Sequence, residues 1–361
     1  MIFWYDIDLE SDCEKAIIAW RSFGSRRPHD HPAFLKVMRL PDQNPVLIHF
    51  VHDSGAAIIY SFYLLQLNKT QRFGDFGVPA SHVSSPYGYG GPIYDGPQEL
   101  KEHVSQEFEA ELSMLMLEKR VVSEFVREDI FQDRLVARTV GERAEQQPNI
   151  VVDLDVDMEE RWERYRHKVR KNVNKAQNLG LHVIFDREGL HLSDFVRIYH
   201  GTMRRNNAAD SFFIGLEKFK YLADALKKER GSLYVHVCDG SDVVSTELLL
   251  LSSDAIYSFL GGTIATHFDK RPNDLLKHEV IKWGKAHSFK YYVLGGGAAP
   301  EDGIYRYKRS FEPDGIYPFY IRKIVHNKSI YEELLKYRDK YERAKGGNWV
   351  PRENFFPLYL S

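Results

Sequence analysis

Short apolar runs alternate with amphipathic stretches along this chain, and that alternation marks out strands and helices before any single residue is weighed. Residues 2 to 5 (IFWY) predict a strand. In SDCEKAIIAWRS, Ser11 reads as an N-cap and Ala16, Ile17 and Trp20 fall at helical spacing, while HPAFLKVM predicts a second helix. PVLIHFVHDSGAAIIYSFYLLQL reads as two strands joined at Asp53-Ser54-Gly55, a hairpin signal. Over residues 98 to 119, Leu100, Val104, Phe108, Leu112 and Leu115 form the stripe of a longer helix, and VVSEFVRED follows as a strand.

The segment QQPNI interrupts both periodicities and marks a boundary, giving domains at 1–148 and 149–328 and a C-terminal helix and tail at 329–361. From Met158 to Leu179 the spacing predicts one long helix, with Trp162, Tyr165, Val169, Val173 and Ala176 inward, a basic remaining surface, and Gly180 as its stop. A strand (LHVIF), two helices and three strands in a meander come next. Asn273 then caps a helix with Leu276, Val280 and Trp283 inward, followed by a strand (YYVLGGG), a short helix (IYRYKRSF) and a last strand. Between the first domain's elements, SSPYGYGGPIYDG reads as an ordered loop, either a cover for the sheet or a wall of a substrate site.

Composition narrows the class. A chain of 361 residues that is 43% hydrophobic can bury two cores, and a net charge of −2 excludes a globally basic nucleic-acid binder. Cys13 and Cys238 are too few for a disulfide framework or a cysteine zinc site. The N-terminus lacks a basic segment before its apolar run, and no run approaches the roughly 20 apolar residues of a membrane span, so a cytoplasmic protein is expected. His29, His31, His49 and His52 lack a familiar ligand spacing, and no metal is expected.

Three stretches resemble the FemABX-like transferases, relatives of the peptidoglycan-bridge aminoacyltransferases that carry two tandem GNAT-like domains. They are HKVRKNVNKAQNLGLHV (167 to 183), YSFLGGTIATHFDKRPNDLLKHEVIKWGKAHSFKYYVLGGG (257 to 297) and GIYRYKRSF (303 to 311). The order of elements after residue 180 is likewise the layout of a GNAT domain. The resemblance implies an α+β fold of two tandem GNAT-like domains, each a mixed, mainly antiparallel sheet flanked by helices. Two features depart from it: the family's Phe-Gly after the lysine element is Phe311-Glu312 here, and no pair of long coiled-coil helices is inserted.

Acyl transfer to an amine needs an oriented donor carbonyl and a group that stabilises the developing oxyanion, without a covalent enzyme intermediate. The sequence contains no Gly-x-Ser-x-Gly elbow and no Walker loop, and Gly295-Gly296-Gly297 reads as a turn at a strand end. The resemblance places on Lys308 the lysine that stabilises charge at the donor, with Tyr307 beside it; a solvated lysine is the bland alternative. Glu247 is a carboxylate inside an apolar strand, either a general base raised by desolvation or a partner in a salt bridge. Leu260, Gly261, Gly262 and Thr263 end a strand where an acyl donor can approach the backbone, with Asn273 and Asp274 opening the next helix; a tight turn explains the glycines equally well. Tyr87, Tyr89, Lys168 and Arg170 are the acceptor-side expectation, and the basic helix is either a phosphate contact or a solvated face.

The family resemblance implies an aminoacyltransferase moving an aminoacyl group from aminoacyl-tRNA to an amine of a cell-envelope precursor or small metabolite. An acyl-CoA-dependent N-acyltransferase acting on an amino-sugar or polysaccharide precursor is the alternative, and an inert tandem protein that binds an anionic ligand is the third. No permanently bound cofactor is expected under any of them; aminoacyl-tRNA or acyl-CoA serves as cosubstrate.

Overall fold

The computed structural model describes residues 1–297 and 299–361. They form two compact units, Met1–Gln146 with Phe319–Ser361, and Gln147–Pro318. The first unit contains β1 (Ile2–Asp6), α1 (Glu10–Ser22), α2 (Pro32–Met38), β2 (Gln43–Val51), β3 (Ala57–Gln66), β4 (Ser81–Ser84), β5 (Ile93–Asp95), α3 (Lys101–Glu118) and β6 (Val121–Arg127). Strand alternation on β2 decides the layers. Ile48 and Phe50 join Val104, Phe108 and Leu112 of α3 in one core, while Leu47 joins Ala16 and Trp20 of α1 and Leu35 of α2 in another.

The chain continues through β7 (Glu142–Asp153), α4 (Met158–Arg164), α5 (His167–Asn178), β8 (His182–Asp186), α6 (Leu192–Arg205), α7 (Leu216–Lys227), β9 (Ser232–Asp239), β10 (Asp242–Leu251), β11 (Ala255–Thr263), α8 (Pro272–Ala286), β12 (Tyr291–Gly295), α9 (Gly303–Arg309), β13 (Ile316–Val325) and α10 (Lys328–Ala344). The order β8-α6-α7-β9-β10-β11-α8-β12 repeats β1-α1-α2-β2-β3-β4-α3-β6, with β5, a short strand paired to β3, as the first unit's addition. The pairing repeats too: β1–β2–β3–β4 and β8–β9–β10–β11 are antiparallel throughout, and each series ends in one parallel pair, β4–β6 or β11–β12. In neither unit is the next strand in sequence the one that pairs: β13 lies on β6, and β7 lies on β12. The fold is α+β, two tandem GNAT-like domains with mixed, mainly antiparallel sheets flanked by helices.

Several local expectations are corrected. QQPNI lies inside β7 and does not interrupt it. The N-cap of α1 is Leu9, with Ser11 already inside the helix. Asn273 is not a cap either: Arg271 takes that place at φ 61°, and Pro272, whose missing N–H costs nothing there, opens α8.

The long helix expected from Met158 to Leu179 is two helices, because Tyr165 and Arg166 are extended (ψ 138° and 143°). The break is held from both sides. Buried Tyr165 packs edge-on against Phe311 (5.6 Å), and the Arg166 amide donates to Ser310 O at 3.0 Å. Arg161 turns inward to Glu312 and the Asp153 carbonyl. Arg170 Nη1 donates to the carbonyls of Trp162, Glu163 and Tyr165, so the freed end of α4 is capped. Apolar spacing survives the break, which is why periodicity alone does not reveal it. No helix among the described residues is long and apolar enough to cross a membrane.

Candidate active site

The parallel pair in the second unit is short. Only Ala255–Tyr257 of β11 pairs with Tyr291–Val293 of β12, although β11 runs on to Thr263. The pairing of β11 with β10 slips between Leu248 and Leu249, leaving Phe259 as an extra residue in β11. A bulge of this kind re-aims side chains where pairing stops. Over this region α8 packs its buried stripe of Leu276, Val280 and Ile281 on the sheet.

A closed polar network fills the space beneath α8. Lys277 Nζ donates to Glu247 Oε1 at 2.5 Å, Ser258 Oγ at 2.9 Å and the Tyr292 hydroxyl at 3.0 Å. Ser258 donates onward to Glu247 Oε1, and Tyr292 to Glu247 Oε2 at 3.0 Å. All three ammonium protons have acceptors and the carboxylate has three donors, so the buried charges compensate each other. Glu247 is therefore not a lone carboxylate among apolar side chains. Burial, and then the Glu247 charge, hold the Tyr292 phenol well above its ordinary pKa.

Lys277, Ser258 and Tyr292 are the members that sequence reading missed. One signal was present: Lys277 falls on the same helical stripe as Val280, Ile281 and Gly284, and a lysine on an apolar stripe is a buried cation needing a partner.

Beside this network stands Lys308, brought there by α9. Asp302 caps α9 by accepting from the Tyr305 amide at 2.7 Å, and Lys308 Nζ donates to Gly296 O at 2.6 Å. Gly295 ends β12 at φ 79°, and Gly296 and Gly297 leave room for Asn149 and Asp302. The three glycines thus form a turn that presents a carbonyl to the lysine. Burial, followed by the nearby Lys277 charge, lowers the Lys308 pKa to about 8.

Tyr307 is held by the start of α8. Asn273 Nδ2 donates to its hydroxyl at 3.0 Å, leaving the phenolic proton uncommitted among the described residues, and burial keeps the phenol far above its ordinary pKa. Asp274, raised by burial, accepts from Asn172 of α5 at 3.1 Å, with Arg271 and Lys168 near enough to oppose the shift. Glu247, Asn273, Asp274, Tyr307 and Lys308 thus come together in one cluster, linked to α5 through Asn172.

Of the remaining expected residues, Gly261 stands opposite Glu247 in the β10–β11 pairing and Lys168 is near Asp274, whereas Tyr87 and Tyr89 lie elsewhere. Leu260, Gly261, Gly262 and Thr263 lie beyond the β11–β12 pairing, on the stretch of β11 that pairs with β10. Packing accounts for both glycines: an added Cβ at Gly261 meets Thr246 O at 2.5 Å, and one at Gly262 overlaps Thr202 Oγ1 of α6. Lys168 is exposed, whereas Arg170 is committed to capping α4. Tyr87 and Tyr89 belong to the first unit, on a loop anchored by buried Arg27, which donates to Gly90 O at 2.7 Å and Gly91 O at 2.8 Å. Tyr87 is 43% exposed, but Tyr89 is buried, with its ring edge-on to His29.

Residues 163–309 match the family described as acetyltransferase (GNAT) domain. Among solved structures, FemX is similar at a TM-score of 0.65 and 12% identity, covering 89% of this chain and 98% of its own. A conserved protein of unknown function from Bacteroides thetaiotaomicron follows at 0.55 and 11%, covering 90% and 100%. The C-terminal domain of a protein described as a lysylphosphatidylglycerol synthetase, from Agrobacterium fabrum, is similar at 0.54 and 12%, covering 88% and 94%. No curated protein matches the sequence. The chain thus carries a GNAT acyltransferase domain, residues 163–309, on the fold of FemX.

Proposed function

We propose that this chain transfers an aminoacyl group from aminoacyl-tRNA to an amine of a cell-envelope precursor or small metabolite, with Lys308 acting on the donor ester. The observation that carries the reading is the half-buried Lys308 ammonium, its pKa lowered to about 8, at the end of β12 where pairing with β11 has stopped. Such an ammonium is mostly protonated at neutral pH and still able to give up its proton. In the transfer the amine nitrogen bonds to the acyl carbon and the ester C–O bond breaks. Lys308 stabilises the oxyanion, protonates the departing ribose oxygen and regains a proton from the nitrogen that has attacked. Tyr307 adds a second donor. Glu247 serves as a positioning residue, because its carboxylate already accepts three hydrogen bonds and fixes the Lys277 charge that tunes Lys308.

The tRNA donor is favoured by α5. A groove of about 650 Å³ runs along it, lined by His167, Arg170, Lys171, Asn174 and Lys175 with Trp162 at one end. Lys171 and Lys175 there suit an extended phosphate backbone, and Asn172 on the same helix contacts Asp274 of the cluster. A second reading, acyl-CoA-dependent N-acylation of an amino-sugar or polysaccharide precursor, draws on the interrupted β11–β12 pair, which offers unpaired backbone to a compact donor, and on the acetyltransferase family match.

Filter binding with charged tRNA, alongside thermal shift with acetyl-CoA, separates the readings. The proposal expects tRNA binding that weakens steeply with salt and is reduced in a Lys171→Ala/Lys175→Ala variant, with no shift from acetyl-CoA. A shift with acetyl-CoA and no tRNA binding would sink it in favour of the second reading. Silence in both assays would favour an inert binding protein.

A further inference from the structure

His52, His103 and Glu107 lie in the first unit, apart from the residues given a role above. His52 follows β2 at its hairpin, and His103 and Glu107 lie one turn apart on α3. One ligand atom from each falls within 4.8 Å of the other two. His103 Nε2 is 3.1 Å from Glu107 Oε1, and His52 Nε2 is 3.4 Å from Glu107 Oε2. The two spacings run to different oxygens of Glu107, so a tetrahedral ion at 2.0–2.1 Å, with ligand-to-ligand edges of about 3.3 Å, requires one carboxylate oxygen to turn between the two imidazoles, a rotation open to this exposed side chain.

The scaffold under the three side chains is rigid. Phe50, two residues before His52, packs edge-on against Phe108, the neighbour of Glu107, with ring centroids 5.7 Å apart. Val104, next to His103, is fully buried in the same core. The hairpin end and the helix turn are therefore fixed to each other by core packing.

The outer side of His52 is engaged as well. Its Nδ1 lies 2.7 Å from Ser54 Oγ, so Nε2 is the nitrogen turned toward Glu107. With Nδ1–H donated to that hydroxyl, the Nε2 lone pair faces the other two ligands, the arrangement that orients metal-bound imidazoles. The tautomer change gives up the bond from the Ser54 amide to Nδ1, now 3.1 Å.

We propose that His52, His103 and Glu107 form a surface site for a divalent transition ion of the zinc class, with water completing the shell. Two imidazoles and a carboxylate suit zinc by ligand type and number, and an ion there ties the β2–β3 hairpin to α3. This departs from the sequence expectation of no metal, which weighed His52 against histidines near it in sequence. Its partners are some fifty residues away on α3.

The test is isothermal titration of zinc chloride into tag-free, EDTA-treated full-length protein. One zinc per chain is expected, with binding lost in His52→Ala and His103→Ala and weakened about tenfold in Ser54→Ala. Cobalt(II) should give the intense visible absorption of tetrahedral coordination in the wild type and not in His103→Ala. Because His103 and Glu107 are largely exposed, a His103→Ala/Glu107→Gln variant keeps the fold, and circular dichroism verifies this. Failure of the wild type to take up zinc would overturn the proposal. So would undiminished uptake by the folded double variant.

Discussion

Lys277 of α8 reaches Glu247 of β10 at 2.5 Å, and each side chain is only 7% exposed. Both charges are out of water, and each is tolerated because the other is present together with Ser258 and Tyr292. The Lys308 pKa responds to both members of the pair in opposite senses, lowered by Lys277 and raised by Glu247.

Removing one partner leaves an uncompensated buried charge. Lys277→Met and Glu247→Gln should each lower stability by about 3–5 kcal/mol, and the double variant should lose less than the two together. Urea unfolding of the four proteins measures this. A cost below about 1 kcal/mol for both single changes would place the pair in solvent and contradict the burial described above.

The pH dependence of turnover follows from Lys308. In the proposed mechanism the active form is the ammonium, so kcat should fall as pH rises through about 8. Lys277 is a like charge that lowers the Lys308 pKa; Lys277→Met removes it and should move the falling limb to higher pH. Lys308→Met should lose about 10²–10³ in kcat and keep donor binding. A falling limb that persists unchanged in residual Lys308→Met activity belongs to another group.

Much of the second unit was legible because its core repeats at helical and strand periods that survive local irregularity, as Val169, Val173 and Ala176 do after the break at Tyr165. The break itself was not legible. It depends on contacts with Phe311, Ser310 and Glu312, more than 140 residues away, and no local pattern carries that information. At the site, Glu247 stood out as a charge in an apolar strand, whereas Ser258 and Tyr292 are ordinary strand residues until α8 lowers Lys277 onto them. The repeat of the two units was expected from the family resemblance alone: it is carried by pairing sense, and the two halves of the sequence show it only as similar strings of elements.

Gly262 separates packing from donor contact. An alanine there would drive its methyl into Thr202 Oγ1 and to 3.0 Å from Ile198 O, a cost of about 1–3 kcal/mol. Adding Thr202→Ala should recover part of it. Thermal melts with and without the donor decide the matter: normal stability with lost donor affinity in Gly262→Ala would assign the glycine to the donor instead of to α6.

Glu312 stands where the resembling family has glycine, and the structure gives the exchange a reason. Its backbone is outside the left-handed region, so the position does not require glycine. Gly315 supplies the space instead, since a Cβ there would overlap both the Glu312 side chain and Val151 O. The carboxylate pairs with Arg161, whose side chain is 1% exposed, and so holds the end of α4 beside the turn that leads out of α9. Glu312→Gly restores the family residue but leaves the guanidinium buried with the Asp153 carbonyl as its remaining partner, and should cost about 3–5 kcal/mol. Arg161→Met/Glu312→Met replaces both charges with apolar groups and should recover most of that loss. Phe311, which touches both Tyr165 and Tyr307, keeps its packing in the double variant, so turnover should survive there while Glu312→Gly loses activity as α9 loosens. Urea midpoints together with kcat for the three proteins test the link; equal stability of Glu312→Gly and the parent would mean that Arg161 reaches water by another route.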